Sequence, residues 1–171
     1  MKKALFVIDM QEICVGKNHA DFFNYEENLV EKVNNVIDKN KEEVFVVYIR
    51  NVMKKNLINK LAPFHAYDGS PEAALAENLH KVSDLVFDKY TGDAFTNERL
   101  KDFLKTNNIT CIEIVGVDGG GCVSATALGA IENGYTVILN TAAIGTTDNK
   151  KFQKKRDKYF QMLKERGAEF I

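Results

Sequence analysis

The sequence predicts an α/β fold: a three-layer α/β/α sandwich around a mainly parallel, Rossmann-like sheet of five to six strands. Two observations carry that prediction. Short runs of β-branched and aromatic residues, apolar without interruption, mark strands buried on both faces, the pattern of a parallel sheet. Segments with apolar residues at three- and four-residue spacing separate the runs, and this alternation implies helices on both faces joined by right-handed crossovers.

In chain order, strands are predicted over residues 4–8, 44–49, 111–117 and 135–139, with a shorter one at 85–87 and an edge strand at 169–171. Leu29, Val33, Val36 and Ile37 recur at helical spacing between the first two strands. Leu100, Phe103 and Leu104 do so before the 111–117 strand, with Thr96 available as N-cap. A long charged helix is expected over 148–166. The stretch 51–83 is the least regular, with Pro63, Gly69-Ser70-Pro71 and an Ala-rich helical pattern over 72–79. It is long for a plain connection and reads as a surface excursion able to wall or cover a site. No repeat, linker or low-complexity tract divides the chain, so one domain over residues 1–171 is expected.

Composition narrows the function classes. Apolar residues at 45% against 27% charged suit one hydrophobic core. Twenty-three Lys plus Arg against 24 Asp plus Glu gives a net charge of -1, without the basic excess that nucleic-acid binding needs. Three cysteines, Cys14, Cys111 and Cys122, cannot all pair and form no C-x-x-C motif, which fits a reducing compartment. Asp9 interrupts the N-terminal apolar run, no cleavage site follows, and no segment reaches about 18 consecutive apolar residues. A cytoplasmic location without membrane contact is therefore expected.

Ligands of open parallel sheets bind beyond the carboxyl ends of the strands. Asp9 ends the first strand, Asp118 and the run Gly119-Gly120-Gly121-Cys122 follow the 111–117 strand, and Lys89 lies just past the 85–87 strand. Cys122 falls at the start of a small-residue helix pattern, where the partial positive charge of a helix N-terminus favours a thiolate and can hold an oxyanion. Cys14 and Cys111 lack that context and read as core residues. The glycine run is neither G-x-G-x-x-G nor a Gly-Lys-Ser/Thr loop, so nucleotide binding is the weaker reading. Lys150, Lys151, Lys154, Lys155, Arg156 and Lys158 read as a solvated helix face, and His19, His65 and His80 carry no metal spacing.

Three segments together resemble the isochorismatase-like cysteine hydrolases, a family that includes nicotinamidases, N-carbamoylsarcosine amidohydrolases and ureidoacrylate amidohydrolases. They are Leu5-Phe6-Val7-Ile8-Asp9-Met10-Gln11, then Asp88-Lys89 with Ala94-Phe95 and Leu100, then Gly116-Val117-Asp118-Gly119-Gly120-Gly121-Cys122-Val123. The resemblance runs nearly end to end. It implies a triad of Cys122 as nucleophile, Asp9 as general acid/base and Lys89 as electrostatic partner, acting through a thioester on a C–N bond of a small amide or ureido compound. It also implies an oxyanion hole from the backbone N–H groups of Asp118 and Cys122, and a cis Val117–Asp118 peptide. Lys89 owes its selection to the resemblance alone. With the helix terminus, its ammonium is expected to raise the thiolate fraction of Cys122.

The chain also departs from the family. Gly119-Gly120 stands where many relatives carry Thr-Asp, which implies a more flexible turn, and Asp118 would oppose thiolate formation unless it points away. The Asp-x-His cluster of nicotinamidases has no counterpart after residue 50, so neither a metal nor another cofactor is expected. Gln11, Phe22, Phe23 and the 51–83 excursion are the expected substrate-binding parts, and relatives' habits imply a homo-oligomer, dimer or tetramer. Two other functions fit the same residues: vinyl-ether hydrolysis of an isochorismate-type substrate with Asp9 as acid, and a non-catalytic binding protein on the same fold.

Overall fold

Side-chain alternation along the central strands sets the layers. In the computed structural model, which describes residues 1–17, 19–57, 59–61 and 64–171, β1 (Lys3–Ile8) sends Ala4, Phe6 and Ile8 to one face and Leu5 and Val7 to the other, all fully buried. Five further strands, β2 (Phe45–Asn51), β3 (Val86–Lys89), β4 (Cys111–Gly116), β5 (Thr136–Ile144) and β6 (Glu169–Phe170), complete a wholly parallel sheet of six, ordered β3-β2-β1-β4-β5-β6. On one face lie α3 (Glu98–Thr106), α4 (Cys122–Glu132) and α5 (Lys150–Glu165), which bury Leu100, Leu104, Val123, Ala127, Ala130 and Leu163. On the other, α1 (Glu12–Val15) and α2 (Leu29–Asn40) bury Cys14, Leu29, Val33 and Ile37. The predicted sandwich is thus the observed one.

Local differences from the sequence reading have physical causes. The 72–79 pattern forms no helix: after one 3-10 turn at Pro71–Ala73, its main chain pairs with the segment that follows β1, through Glu12 N to Ala74 O and Ala76 N to Met10 O, each 2.9 Å. Tertiary pairing outweighs the helical propensity of its alanines. Asn97, not Thr96, caps α3 by accepting from Leu100 N at 3.1 Å, while the Thr96 hydroxyl turns back to Asp93 O at 2.7 Å. β5 runs past the apolar stretch because Thr141 pairs with Ile171, its N–H reaching the carbonyl at 2.8 Å. Pro63, read as a break in the excursion, lies outside the described residues.

Strand order reverses direction at β1 and β4, which opens a crevice at their carboxyl ends. The two strands approach closely there. Gly116 has φ +108, and a Cβ on it would meet Ile8 O at 2.1 Å, so no side chain fits at this strand end.

Candidate active site

Asp9 leaves β1 in a left-handed conformation, φ 51, that non-glycine residues adopt rarely. Main-chain bonds hold it there, with Asp9 N donating to Ile49 O at 2.9 Å and Gln11 N to Asp9 O at 2.8 Å. Lys89 is the last residue of β3, two strands away, and its side chain reaches past the end of β2 to place Nζ 2.8 Å from Asp9 Oδ2. Lys89 is 1% exposed and Asp9 4%. The other oxygen, Oδ1, is buried and receives no hydrogen bond from a described residue.

Cys122 opens α4, is half-buried, and has both members of that ion pair as charged neighbours. The N–H groups around it follow a simple account. Val117 N donates to Ile8 O, Gly119 N to Gly145 O, Gly120 N to Asp118 Oδ1, and Gly121 N and Val123 N to Asp118 O. Among the described residues, Asp118 N and Cys122 N find no acceptor in this stretch. The Val117–Asp118 peptide is cis, as the resemblance implies.

The Asp118 side chain turns away from the thiol. Its oxygens accept from Gly120 N at 2.7 Å and Thr147 N at 2.8 Å, and Tyr25 is a further donor. It therefore ties the turn before Cys122 to the segment after β5. The adjoining glycines serve close packing rather than looseness: a Cβ at Gly120 would sit 2.2 Å from Phe152 O of α5, and one at Gly119 2.5 Å from Thr146 Oγ1. Arg156 is not part of a solvated face either, because it is half-buried with its main chain and Cγ against this turn.

Electrostatics revise the expected ionisation of Cys122. Burial, then the Asp9 carboxylate, push the Cys122 thiol up to about 12, and the nearby Lys89 ammonium offsets this only in part. The resting thiol is protonated. For Lys89, burial disfavours the ammonium, but Asp9 and Cys122 outweigh it and raise its pKa. Burial also raises the Cys14 thiol and the Asp118 carboxyl.

A cavity of about 250 Å³ opens over Cys122 and Asp9. Gln11, Phe22 and Phe23 all line it, but Gln11 spends its amide on the main chain: Nε2 donates to Asn51 O and Ala73 O, and Oε1 accepts from Asn51 N. The 51–83 excursion contributes Asn51, Met53, Phe64 and Ala66 to the wall, and the cavity also brings in residues the sequence reading did not select, namely Cys14, Tyr25 and Phe152. Asn51 ends β2 and Met53 lies just beyond it, at the rim where the strand-end rule places ligands. Phe152 could not be found that way, because it sits in a helix read as solvated. Where the resemblance would place a metal, the cavity wall is Asn51, Met53 and Ala66, while His65 is exposed and stacks on Tyr67 at 5.4 Å. Among the described residues, no group of three His, Cys, Asp or Glu is placed to hold a metal ion. No helix among them is long and apolar enough to cross a membrane.

Comparison with known proteins adds to this geometry. The family model for the isochorismatase domain matches residues 3–171. A curated isochorismatase family protein of Bacillus subtilis, YrdC, is 26% identical over 153 residues, which is 86% of this chain and 77% of that protein. Among solved structures, the pyrazinamidase/nicotinamidase of Streptococcus mutans superposes with a TM-score of 0.84 at 21% identity, covering 99% of this chain and 100% of that one. Pyrococcus horikoshii pyrazinamidase, solved in complex with zinc, gives 0.83 at 24% identity, covering 100% and 99% of the two chains. The N-carbamoylsarcosine amidase of Thermoplasma acidophilum gives 0.80 at 22%, covering 99% and 95%.

Proposed function

The chain belongs to the isochorismatase family of hydrolases, and we propose that within it this protein is a cysteine hydrolase of a C–N bond in a small amide or ureido compound. One observation carries the reading: a buried Asp9–Lys89 pair beside a thiol whose own turn leaves two backbone N–H groups without acceptors among the described residues. Cys122 Sγ attacks the carbonyl carbon while its proton passes to Asp9 Oδ1. The oxyanion is held by Asp118 N and Cys122 N, donors worth about 3–4 kcal/mol each when aimed at developing charge. Asp9 then gives the proton to the departing nitrogen. Water, deprotonated by Asp9, cleaves the thioester, and the proton returns to sulfur.

Lys89 holds Asp9 in place and keeps the site neutral: carboxylate, ammonium and thiol sum to zero before the transfer, and carboxylic acid, ammonium and thiolate sum to zero after it. The Asn51 to Phe64 side of the cavity would position the substrate. A homo-oligomer remains part of the proposal, tested by sedimentation.

A second reading rests on the raised thiol pKa, since a protonated Cys122 suits acid catalysis by Asp9 on an isochorismate-type vinyl ether. Mass spectrometry of the enzyme mixed with amide substrates separates the two. An acyl adduct on Cys122, absent in Cys122→Ala together with turnover, supports the thioester route. Full turnover by Cys122→Ala would overturn it.

A further inference from the structure

Resting on the thioester reading above, we infer that Asp118 is a positioning residue for acyl transfer: its carboxylate fixes the turn that carries Asp118 N and Cys122 N, the two backbone N–H groups that receive the oxyanion. The turn needs such an anchor. Gly119, Gly120 and Gly121 have no side chains to tether it, and glycine loses more conformational freedom than any other residue when held in one conformation. Larger residues are kept out at two of these positions, since a Cβ on Gly119 or Gly120 would overlap Thr146 Oγ1 or Phe152 O. The hydrogen-bonding side chains that flank the glycines are Asp118 before them and, past Cys122, Ser124.

Both side chains are spent on the turn. Asp118 Oδ1 accepts from Gly120 N at 2.7 Å and Oδ2 from Thr147 N at 2.8 Å, so one carboxylate closes the turn on itself and ties it to the segment after β5. The Asp118 carbonyl adds Gly121 N at 2.9 Å and Val123 N at 3.2 Å, the second of these within the first turn of α4. Ser124 Oγ donates to Gly119 O at 2.6 Å from that same helical turn. Asp118 is 8% exposed and Ser124 fully buried, so water competes little for these bonds. Bonds to a carboxylate are roughly twice as strong as neutral ones. Asp118 carries one of the two oxyanion donors on its own backbone and holds Gly120, two residues before the other, so a shift of the carboxylate moves both. Its negative charge, which would oppose an oxyanion, is taken up by the main-chain donors it accepts from.

Two reagents separate positioning from packing. p-Nitrophenyl acetate acetylates a thiol through a tetrahedral oxyanion: the S–C bond forms, p-nitrophenol leaves with the thiol proton handed on by Asp9, and water then releases acetate. Iodoacetamide alkylates the same sulfur by displacing iodide at a saturated carbon, with loss of the thiol proton, and builds no oxyanion. Both rates are measured on the full chain, with the modified residue located at Cys122 by peptide mass spectrometry. Asp118→Ala is expected to slow acetylation by about 100-fold, the loss that follows when an oxyanion donor is misplaced. Asp118→Asn should slow it by about tenfold, because its amide oxygen keeps one N–H while its NH₂ group faces the other. Alkylation should stay within about threefold of the wild type in both variants, since it makes no use of the oxyanion donors.

Asp118→Asn decides the question should Asp118→Ala not fold. Acetylation at the wild-type rate in the variants overturns this inference and leaves the thioester reading standing. Acetylation and alkylation that change by the same factor do so as well, because that is the mark of a packing role. A wild type that is alkylated but never acetylated at Cys122 overturns the thioester reading and this inference with it.

Discussion

Replacing Lys89 with methionine removes a charge and little volume, so it isolates the electrostatic content of the site. Lys89 and Asp9 are 0% and 5% exposed in their side chains and 2.8 Å apart. At an effective dielectric of 20, two unit charges at that distance attract by about 6 kcal/mol. The ammonium no longer has to be desolvated in the variant, which returns part of this and leaves a net cost of about 3–5 kcal/mol for a buried carboxylate without its partner. That is a large share of a typical total of about 5–15 kcal/mol. The chain has no tryptophan, so urea unfolding is best followed by far-ultraviolet circular dichroism. Asp9→Asn should cost a similar amount, but the double variant, whose buried pair is neutral, should be less destabilised than the two single costs predict by at least about 2 kcal/mol. A Lys89→Met protein within about 1 kcal/mol of the wild type, or a strictly additive double variant, would show that the pair is solvated and that this account of the site is wrong.

The remaining predictions use the same geometry. Asp9 raises the thiol pKa, so Asp9→Asn should be alkylated by iodoacetamide faster than the wild type near neutral pH while losing turnover; slower labelling refutes the assignment. Cys122 is raised from 9.0 to about 12 in the fold, so its contribution to stability is fully present below the unfolded value and is lost as pH rises through the folded one. Between those values the wild type should lose up to about 1.4 kcal/mol per pH unit relative to Cys122→Ala, read from urea midpoints at successive pH values. Gly120→Ala should cost about 1–3 kcal/mol because its Cβ meets main chain at 2.2 Å, whereas at Gly92 the Cβ meets only Ala125 Cβ at 3.4 Å and the change should stay within about 0.5 kcal/mol. Equal melting temperatures for the two glycine variants would remove the close-packing argument.

What could be read in advance followed from how directly each residue's neighbours lie along the chain. Asp9 and Cys122 stand where apolar runs stop, and a parallel sheet brings such ends to one rim, so local pattern was sufficient to single them out. Lys89 gives no local signal. Its partner is 80 positions away, and only the family resemblance pointed to it. The 72–79 pattern misleads for the same reason in reverse: its helical spacing is real, but its main chain is claimed by the segment that follows β1. The glycine pair was read as loosening the turn because the sequence does not show α5 lying against it. Phe152, on that same helix, was hidden among lysines. The thiol was expected to ionise because a helix terminus and a lysine are visible in sequence; the desolvation that outweighs them is a property of the packed site.

That desolvation changes what thiol reactivity can report. Releasing the Cys122 proton to water leaves a net negative charge in a buried site, and at pH 7 a thiol with a pKa of about 12 resists this by about 7 kcal/mol. Passing the proton to Asp9 creates no net charge, because the carboxylate is neutralised as the thiolate forms and Lys89 stays opposite both. The route through Asp9 therefore avoids most of the penalty that an external alkylating reagent must meet. A thiol that labels slowly at neutral pH is compatible with fast acyl transfer, and a variant that labels quickly, such as Asp9→Asn, has lost the carboxylate that opposed its thiolate and with it its base. It follows that acyl-enzyme formation on Cys122, not alkylation, measures whether this site is armed.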